Sequence, residues 1–96
     1  MKAKMTKPTI LFVCTHNAGR SALGAALARQ QAGERATVLS AGVAPAETAS
    51  AGTIASLAEI GIDGSAHVPT QLTEELVATS TVVVAMKPGL DIPQVE

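Results

Sequence analysis

Residues 8–24, PTILFVCTHNAGRSALG, contain the one cysteine of the chain and decide how the rest of it is read. Thr9–Val13 is an unbroken β-branched and apolar run, the pattern of a strand buried on both faces. The run ends on Cys14, and a short loop of small and polar residues follows. From Ser21 to about Ala32 strong helix formers take over, with Leu23 and Leu27 four apart and Gly33 placed to stop the helix. Taken alone, Cys14 is either a buried small hydrophobe at a strand end or a nucleophile in a loop.

Outward from that stretch, Thr37–Ser40 reads as a second short strand, with Gly42 and Pro45 in the loop after it. Residues from about Thr48 to Ile60 form a second helix, carrying Ile54, Leu57 and Ala58 on one face and ending at Gly61. Ile62–Gln71, with Gly64, His67 and Pro69, is irregular. Thr73 is placed as an N-cap, with Glu74 and Glu75 in the first turn, where the helix dipole favours acids. Thr81–Met86 is expected to be a third buried strand, and Pro88, Gly89 and Pro93 punctuate the loop beyond it. This order predicts an α/β fold, a three-layer, doubly wound parallel sheet with right-handed crossovers. Ligands of such sheets bind outside the carboxyl ends of the strands, and Cys14 stands at the carboxyl end of the first.

The bulk composition narrows the function classes. Ninety-six residues make a single domain over 1–96, with no repeat or linker. Hydrophobic residues are 47% of the chain, yet there is one Phe and no Trp or Tyr, so the core is built from Leu, Ile, Val and Ala in close helix-on-sheet packing. A net charge of −1 carries no nucleic-acid footprint and no pull toward anionic membranes. The longest apolar runs, ILFVC and VVVAM, are far too short to span a bilayer, and MKAKMTKP has no apolar segment of the kind a secretory signal needs. One cysteine excludes an internal disulfide framework, and a lone thiol at a motif position fits a reducing compartment, with the cytoplasm as the expectation.

The loop then reads as chemistry. From Cys14, Arg20 lies six positions on and Ser21 follows directly, giving C-x5-R-S. A strand that turns through Thr15–Gly19 into a helix points successive backbone N–H groups inward, and such a nest at a positive helix end binds a tetrahedral oxyanion. Arg20 adds a bidentate guanidinium clamp that Lys would not reproduce. Gly19 permits close approach, and Asn17 is the other residue of the loop that tolerates the left-handed region cheaply. The same field stabilises a thiolate, so the Cys14 pKa is expected to fall well below the free value of about 8.5. A thiolate held against the central atom of a bound oxyanion is a nucleophile. His16 has no second His, Cys or carboxylate at metal-ligand spacing, so no metal site is read.

ILFVCTHNAGRS, LSAG at Leu39–Gly42, GID at Gly61–Asp63, His67 with QLTEE at Gln71–Glu75, and TVVVAM at Thr81–Met86 together resemble the low-molecular-weight protein tyrosine phosphatase family. The topology this resemblance implies is flavodoxin-like. Within the family the loop is more similar to arsenate reductases than to phosphatases. The phosphatase loop reads C-x-G-N-x-C-R-S, and here His16 takes the glycine position and Gly19 the second cysteine. By position, the resemblance implies Cys14 as nucleophile and Thr15, His16, Asn17, Ala18, Gly19 and Arg20 as the anion-binding loop. Arg20 becomes the oxyanion clamp and Ser21 the hydroxyl that stabilises the thiolate. Ser40 and His67 would hold Asn17 in its strained conformation, and His16 would offer the anion its backbone alone.

Two departures shape the functional expectation. The family's general acid is an aspartate in a D-P motif beyond the third strand, followed by a fourth strand and a C-terminal helix. The chain stops at Glu96 before these, and Asp91 precedes Ile92 and so does not match the motif. The expected domain therefore lacks the last strand and helix, which leaves one face of the sheet under-covered and invites self-association into a homo-oligomer or poor stability. Secondly, reductases that regenerate through thioredoxin carry M-x-C-x5–6-C after the third strand, where this chain has MKPGLDIP. The resemblance thus implies an arsenate reductase of the arsenate–thiol transferase type. It would bind no cofactor and use an external small thiol such as mycothiol, with a redoxin completing the reduction. The alternatives are a low-molecular-weight protein tyrosine phosphatase acting on phosphate esters, and an inactive oxyanion-binding remnant.

Overall fold

The computed structural model describes residues 7–93. Three parallel strands form a sheet in the order β2-β1-β3, so the strand that carries the cysteine lies in the middle. β1 is Thr9–Cys14, β2 is Thr37–Gly42 and β3 is Val82–Ala85. The register runs from Thr9 opposite Thr37 to Cys14 opposite Gly42 on one side, and from Ile10 opposite Val82 to Val13 opposite Ala85 on the other.

Alternation along β1 sends Leu11 and Val13 to one face and Ile10 and Phe12 to the other. Leu11 and Val13 are fully buried with Ala41 and Leu72, and Leu76 and Val77 of the helix α3 (Glu74–Thr79) pack against them. Burial of each such aliphatic side chain stabilises the fold by about 1.5–3 kcal/mol. The opposite face receives α1 (Arg20–Ala32), which buries Ser21, Ala22 and Ala25. A Cβ added at Gly24 would lie 3.2 Å from Phe12 Cδ2 and 3.3 Å from Met86 Cε, so small residues let this helix close on the sheet. That is the helix-on-sheet contact that an aromatic-poor, alanine-rich composition predicts.

Helix α2 (Ala51–Glu59) starts slightly later than the sequence pattern suggests. The reason is its cap: the Ser50 hydroxyl accepts from the Thr53 N–H at 3.1 Å, which fixes the first turn there. Thr73 caps α3 as expected, accepting from the Leu76 N–H at 3.1 Å. The irregular stretch after α2 contains a single 3-10 turn at Gly64–Ala66, and then Gln71 forms a parallel bridge with Gly42. Gly42 N–H donates to Thr70 O and Leu72 N–H donates to Gly42 O, each at 2.8 Å, which fastens residues 67–72 to the end of β2.

The third strand departs from the expectation of burial. None of its residues is buried, and Val82 leaves 49% of its surface exposed. Among the described residues β3 is hydrogen-bonded to β1 alone and stands at the edge of the sheet. An apolar run identifies a strand, but its burial depends on its place in the strand order, which local pattern does not carry.

Candidate active site: an amide-lined loop around Cys14

The chain leaves β1 at Cys14 and enters α1 at Arg20, and the carbonyls in between all find partners outside the loop or in the helix. Cys14 O accepts from Val43 N–H (3.2 Å), Thr15 O from Ala44 N–H (2.8 Å), His16 O from Ala46 N–H (3.0 Å) and Ala18 O from Ser50 N–H (3.0 Å). Asn17 O accepts from the His67 ring at 2.7 Å, and Gly19 O from Leu23 N–H at 2.8 Å. With the carbonyls drawn outward, the N–H groups of His16, Asn17 and Ser21 turn toward the sulfur. Gly19 caps α1 with no side-chain oxygen and no acid stands in the first turn, so the positive helix end is left for a ligand. Gly42 makes the tight packing possible: a Cβ there would meet Thr15 O at 2.6 Å, Asn17 N at 2.9 Å and His16 C at 3.0 Å.

Asn17 is the centre of the support. It is fully buried and adopts φ +52°, a left-handed conformation that non-glycine residues hold only against other compensation. The Thr70 N–H donates to Asn17 Oδ1 at 2.8 Å, and because a backbone N–H only donates, the amide orientation is fixed. Asn17 Nδ2 therefore faces Ser21 and donates to its Oγ at 2.7 Å. Ser21 Oγ in turn lies 2.9 Å from Cys14 Sγ, with its own proton free to donate there. The His67 contact has one sense too: a carbonyl only accepts, so Nε2 of His67 carries the hydrogen. A chain thus runs from Thr70 through Asn17 and Ser21 to the sulfur, and when Cys14 is a thiolate, which only accepts, Ser21 is the donor at its last link.

Cys14 is buried, and its sulfur also receives the Asn17 N–H at 3.2 Å. Burial pushes the Cys14 thiol up, but the Ser21 hydroxyl and the backbone N–H groups of Ser21, Asn17 and His16 outweigh it and hold the pKa below its ordinary value. Above it opens a cleft of about 240 Å³ lined by Cys14, Thr15, His16, Gly19, Arg20 and Lys87. Among the described residues this lining contains no carboxylate, and no group of His, Cys, Asp and Glu side chains is arranged to hold a metal ion.

Most residues singled out from the sequence converge here, with four differences. Asn17 and Ala18 belong to the loop but lie behind the cleft wall, since Asn17 is turned inward by its three partners and Ala18 is 8% exposed. Ser40 is buried on β2 and is not a partner of Asn17; it stands opposite Phe12, two residues short of Gly42, and faces a separate cavity with His67 and Thr70. The support given to Ser40 by resemblance falls instead to the Thr70 N–H, a backbone donor that leaves no trace in residue type. Lys87 is the cleft residue that sequence reasoning missed as a wall; its place directly after an apolar strand parallel to β1 was the available signal. His16 is exposed and lines the cleft as well as donating its backbone N–H toward the sulfur.

Comparison with known proteins agrees with this geometry. The family described as Low molecular weight phosphotyrosine protein phosphatase matches residues 9–91. An arsenate reductase of Staphylococcus aureus (strain bovine RF122 / ET3-1) is 33% identical over 88 residues, which are 92% of this chain and 66% of the relative. The solved structure of a Corynebacterium glutamicum thioredoxin-dependent arsenate reductase superposes with TM-score 0.86 at 36% identity, over 93% of this chain and 45% of that one. An arginine phosphatase from Geobacillus stearothermophilus superposes with TM-score 0.76 at 40% identity, over 83% of this chain and 53% of the other. The chain thus spans 66% of the length of that curated relative and about half of these solved chains. On its sequence match and its fold alike, the chain belongs to the low molecular weight phosphotyrosine protein phosphatase family.

Proposed function

We propose that the chain acts as an arsenate reductase of the thiol-transferase type, in a reducing compartment such as the cytoplasm. The observation that carries this reading is the polarised chain Thr70–Asn17–Ser21–Cys14, which ends on a stabilised sulfur at the floor of an amide-lined cleft. Arsenate is taken up by the loop N–H groups and the Arg20 guanidinium. The Cys14 thiolate attacks arsenic, one As–O bond breaks and that oxygen leaves as water with protons from arsenate and solvent. Arsenic stays at the +5 level in the sulfur-bound adduct. Arsenate exchanges its oxygens readily, which suits a cleft with no carboxylic acid among the described residues of its lining.

Cys14 is the sole cysteine of these 96 residues, so the adduct is resolved by a thiol from outside them. A small thiol such as mycothiol attacks arsenic, forms a new S–As bond and releases the Cys14 thiolate. A redoxin then supplies the two electrons that take arsenic to +3, two sulfurs being oxidised to a disulfide. The arsenate reductases among the relatives support this assignment, and the thioredoxin dependence of the Corynebacterium protein supports a redoxin partner.

A phosphatase acting through a phosphocysteine is the second reading, favoured by the 40% identity to an arginine phosphatase. It asks for leaving-group protonation. Wild type and Cys14→Ser are to be assayed for arsenate reduction with mycothiol, glutathione or thioredoxin systems, beside hydrolysis of an aryl phosphate. The expected result is arsenate turnover that needs a small thiol and drops by at least about 10³-fold without the nucleophile. Turnover with thioredoxin alone sinks the small-thiol step, and ester hydrolysis without arsenate turnover reverses the two readings.

A further inference from the structure

We infer that the open cavity beside β2, between α1 and residues 62–70, is a second small-molecule site, one that takes a compact uncharged ring compound carrying a hydroxyl group. A guest there holds the cysteine loop in place through His67 and Thr70, which serve both the cavity and the loop. The site is separate from the oxyanion cleft, and it does not depend on which reaction Cys14 performs.

Small residues on one wall and an irregular segment on the other leave the space. Ser40 stands opposite Phe12, whose ring meets α1 at Gly24, so Ser40 lies on the face of the sheet that α1 covers. The helix lines the cavity with Ala22 and Ala26, whose short side chains leave open what longer ones would fill. Leu57 of α2 and Ile62 contribute the apolar far side, and a Cβ added at Gly64 would lie 2.8 Å from Leu57 Cδ1. The volume is about 410 Å³. An apolar cavity of about 150 Å³ takes up benzene, so a single substituted ring fits here.

The polar groups define the guest. Ser40 is 8% exposed, and among the described residues its hydroxyl has no hydrogen-bond partner. No side-chain oxygen or nitrogen among those residues is sealed away without a partner, so Ser40 Oγ opens to the cavity that Ser40 lines. His67 lines it as well; its Nε2 hydrogen is committed to Asn17 O, which leaves Nδ1 as an acceptor on the neutral ring. A hydroxyl both donates and accepts, and so suits either group. Arg29 and Asp63 bring one charge of each sign to the lining. Each is already engaged, Arg29 Nε with Val38 O and Asp63 Oδ1 with the Ser65 N–H, both at 3.0 Å. The cavity therefore has no net pull on an ion, and apolar walls with a few placed polar groups favour a neutral guest.

The link to the loop is direct. The segment that walls the cavity supplies both outside donors to Asn17, the His67 ring at 2.7 Å and the Thr70 N–H at 2.8 Å. Any opening that withdraws these donors also takes the cavity wall apart, so a bound guest opposes it.

The 96-residue protein is titrated with phenol and toluene, which match in shape, and with benzoate, and amide NMR shifts are followed. Phenol is expected to move the signals of Ser40, Ala66 and Thr70 and to bind about fivefold more tightly than toluene. Ser40→Ala removes that advantage, and Ala26→Leu, which fills the space, abolishes binding of both. With phenol at twice its dissociation constant, hydrogen exchange of the Asn17 and Thr70 amides slows about threefold, and it does not slow in Ala26→Leu. Toluene binding as tightly as phenol, or phenol affinity untouched by Ser40→Ala, overturns the hydroxyl assignment. Benzoate binding more tightly than phenol overturns the neutral class. Shifts at Thr15, His16 and Lys87 instead put phenol in the oxyanion cleft and remove the second site. Exchange of the two amides unchanged while phenol is bound overturns the link to the loop.

Discussion

At the carboxyl end of β1, two polar side chains, Asn17 and Ser21, are fully buried, while Val82 on β3 leaves 49% of its surface to solvent. The inversion separates two kinds of order in one small molecule. Around Asn17 each buried polar atom has a partner, with the sense of the Thr70–Asn17 and Asn17–Ser21 bonds fixed by the backbone N–H, and removing one leaves others unsatisfied. Along β3 the order comes from one ladder to β1 and from modest apolar contact, with the other edge unpaired among the described residues. Specificity of structure is concentrated at the cysteine loop, and tolerance lies at the sheet edge.

The largest effect is expected from Asn17→Ala. It strips the Thr70 N–H and the Ser21 hydroxyl of their partner and leaves alanine in a left-handed conformation, a loss of about 2–4 kcal/mol by urea unfolding. A loss as small as that of an edge substitution would break the contrast. Gly42→Ala comes next, at about 1–3 kcal/mol, because its Cβ meets backbone atoms of Thr15, His16 and Asn17 that have no flexible end to yield. Cys14 alkylation by iodoacetamide is expected to slow in this variant, since the loop is displaced.

Ser21→Ala sharpens the contrast through pH. The Cys14 pKa lies below its ordinary value in the fold, so alkylation stays fast until pH falls through that lowered value. Removing the Ser21 hydroxyl moves the inflection of the rate profile upward, because burial is then opposed by backbone N–H groups alone. The folded state binds its thiol proton less readily than the unfolded chain does. This contribution to stability is therefore complete above the unfolded thiol's pKa and is lost as pH falls through the folded value. Val82→Thr is expected to do least, within about 0.5 kcal/mol, as befits an exposed edge position. A cost above 2 kcal/mol on the same urea assay would show that β3 is bound more firmly than its exposure indicates.

Much of this was legible in residue order. Thr9–Val13 announced the central strand, the C-x5-R-S spacing announced the loop, and Thr73 followed by two glutamates announced a capped helix that is present. What escaped the sequence was made of backbone and of distance. The Thr70 N–H has no residue-type signature, and the resemblance offered Ser40 for that role, which the register places opposite Phe12. The exposure of Val82 depends on strand order, and the presence of Lys87 in the cleft depends on the pairing of β3 with β1. Local chemistry was readable, while positions set by partners far along the chain were not.

The outward carbonyls of Cys14 through Gly19 have one further consequence. Since neighbouring segments already hold them, the loop is assembled before any anion arrives and meets every tetrahedral guest with the same array of amides. On the proposed function, phosphate and arsenate, alike in charge and shape, would both fit such an array, and discrimination between them would have to be kinetic: the visitor whose oxygens can be displaced would be consumed, and the inert one would depart.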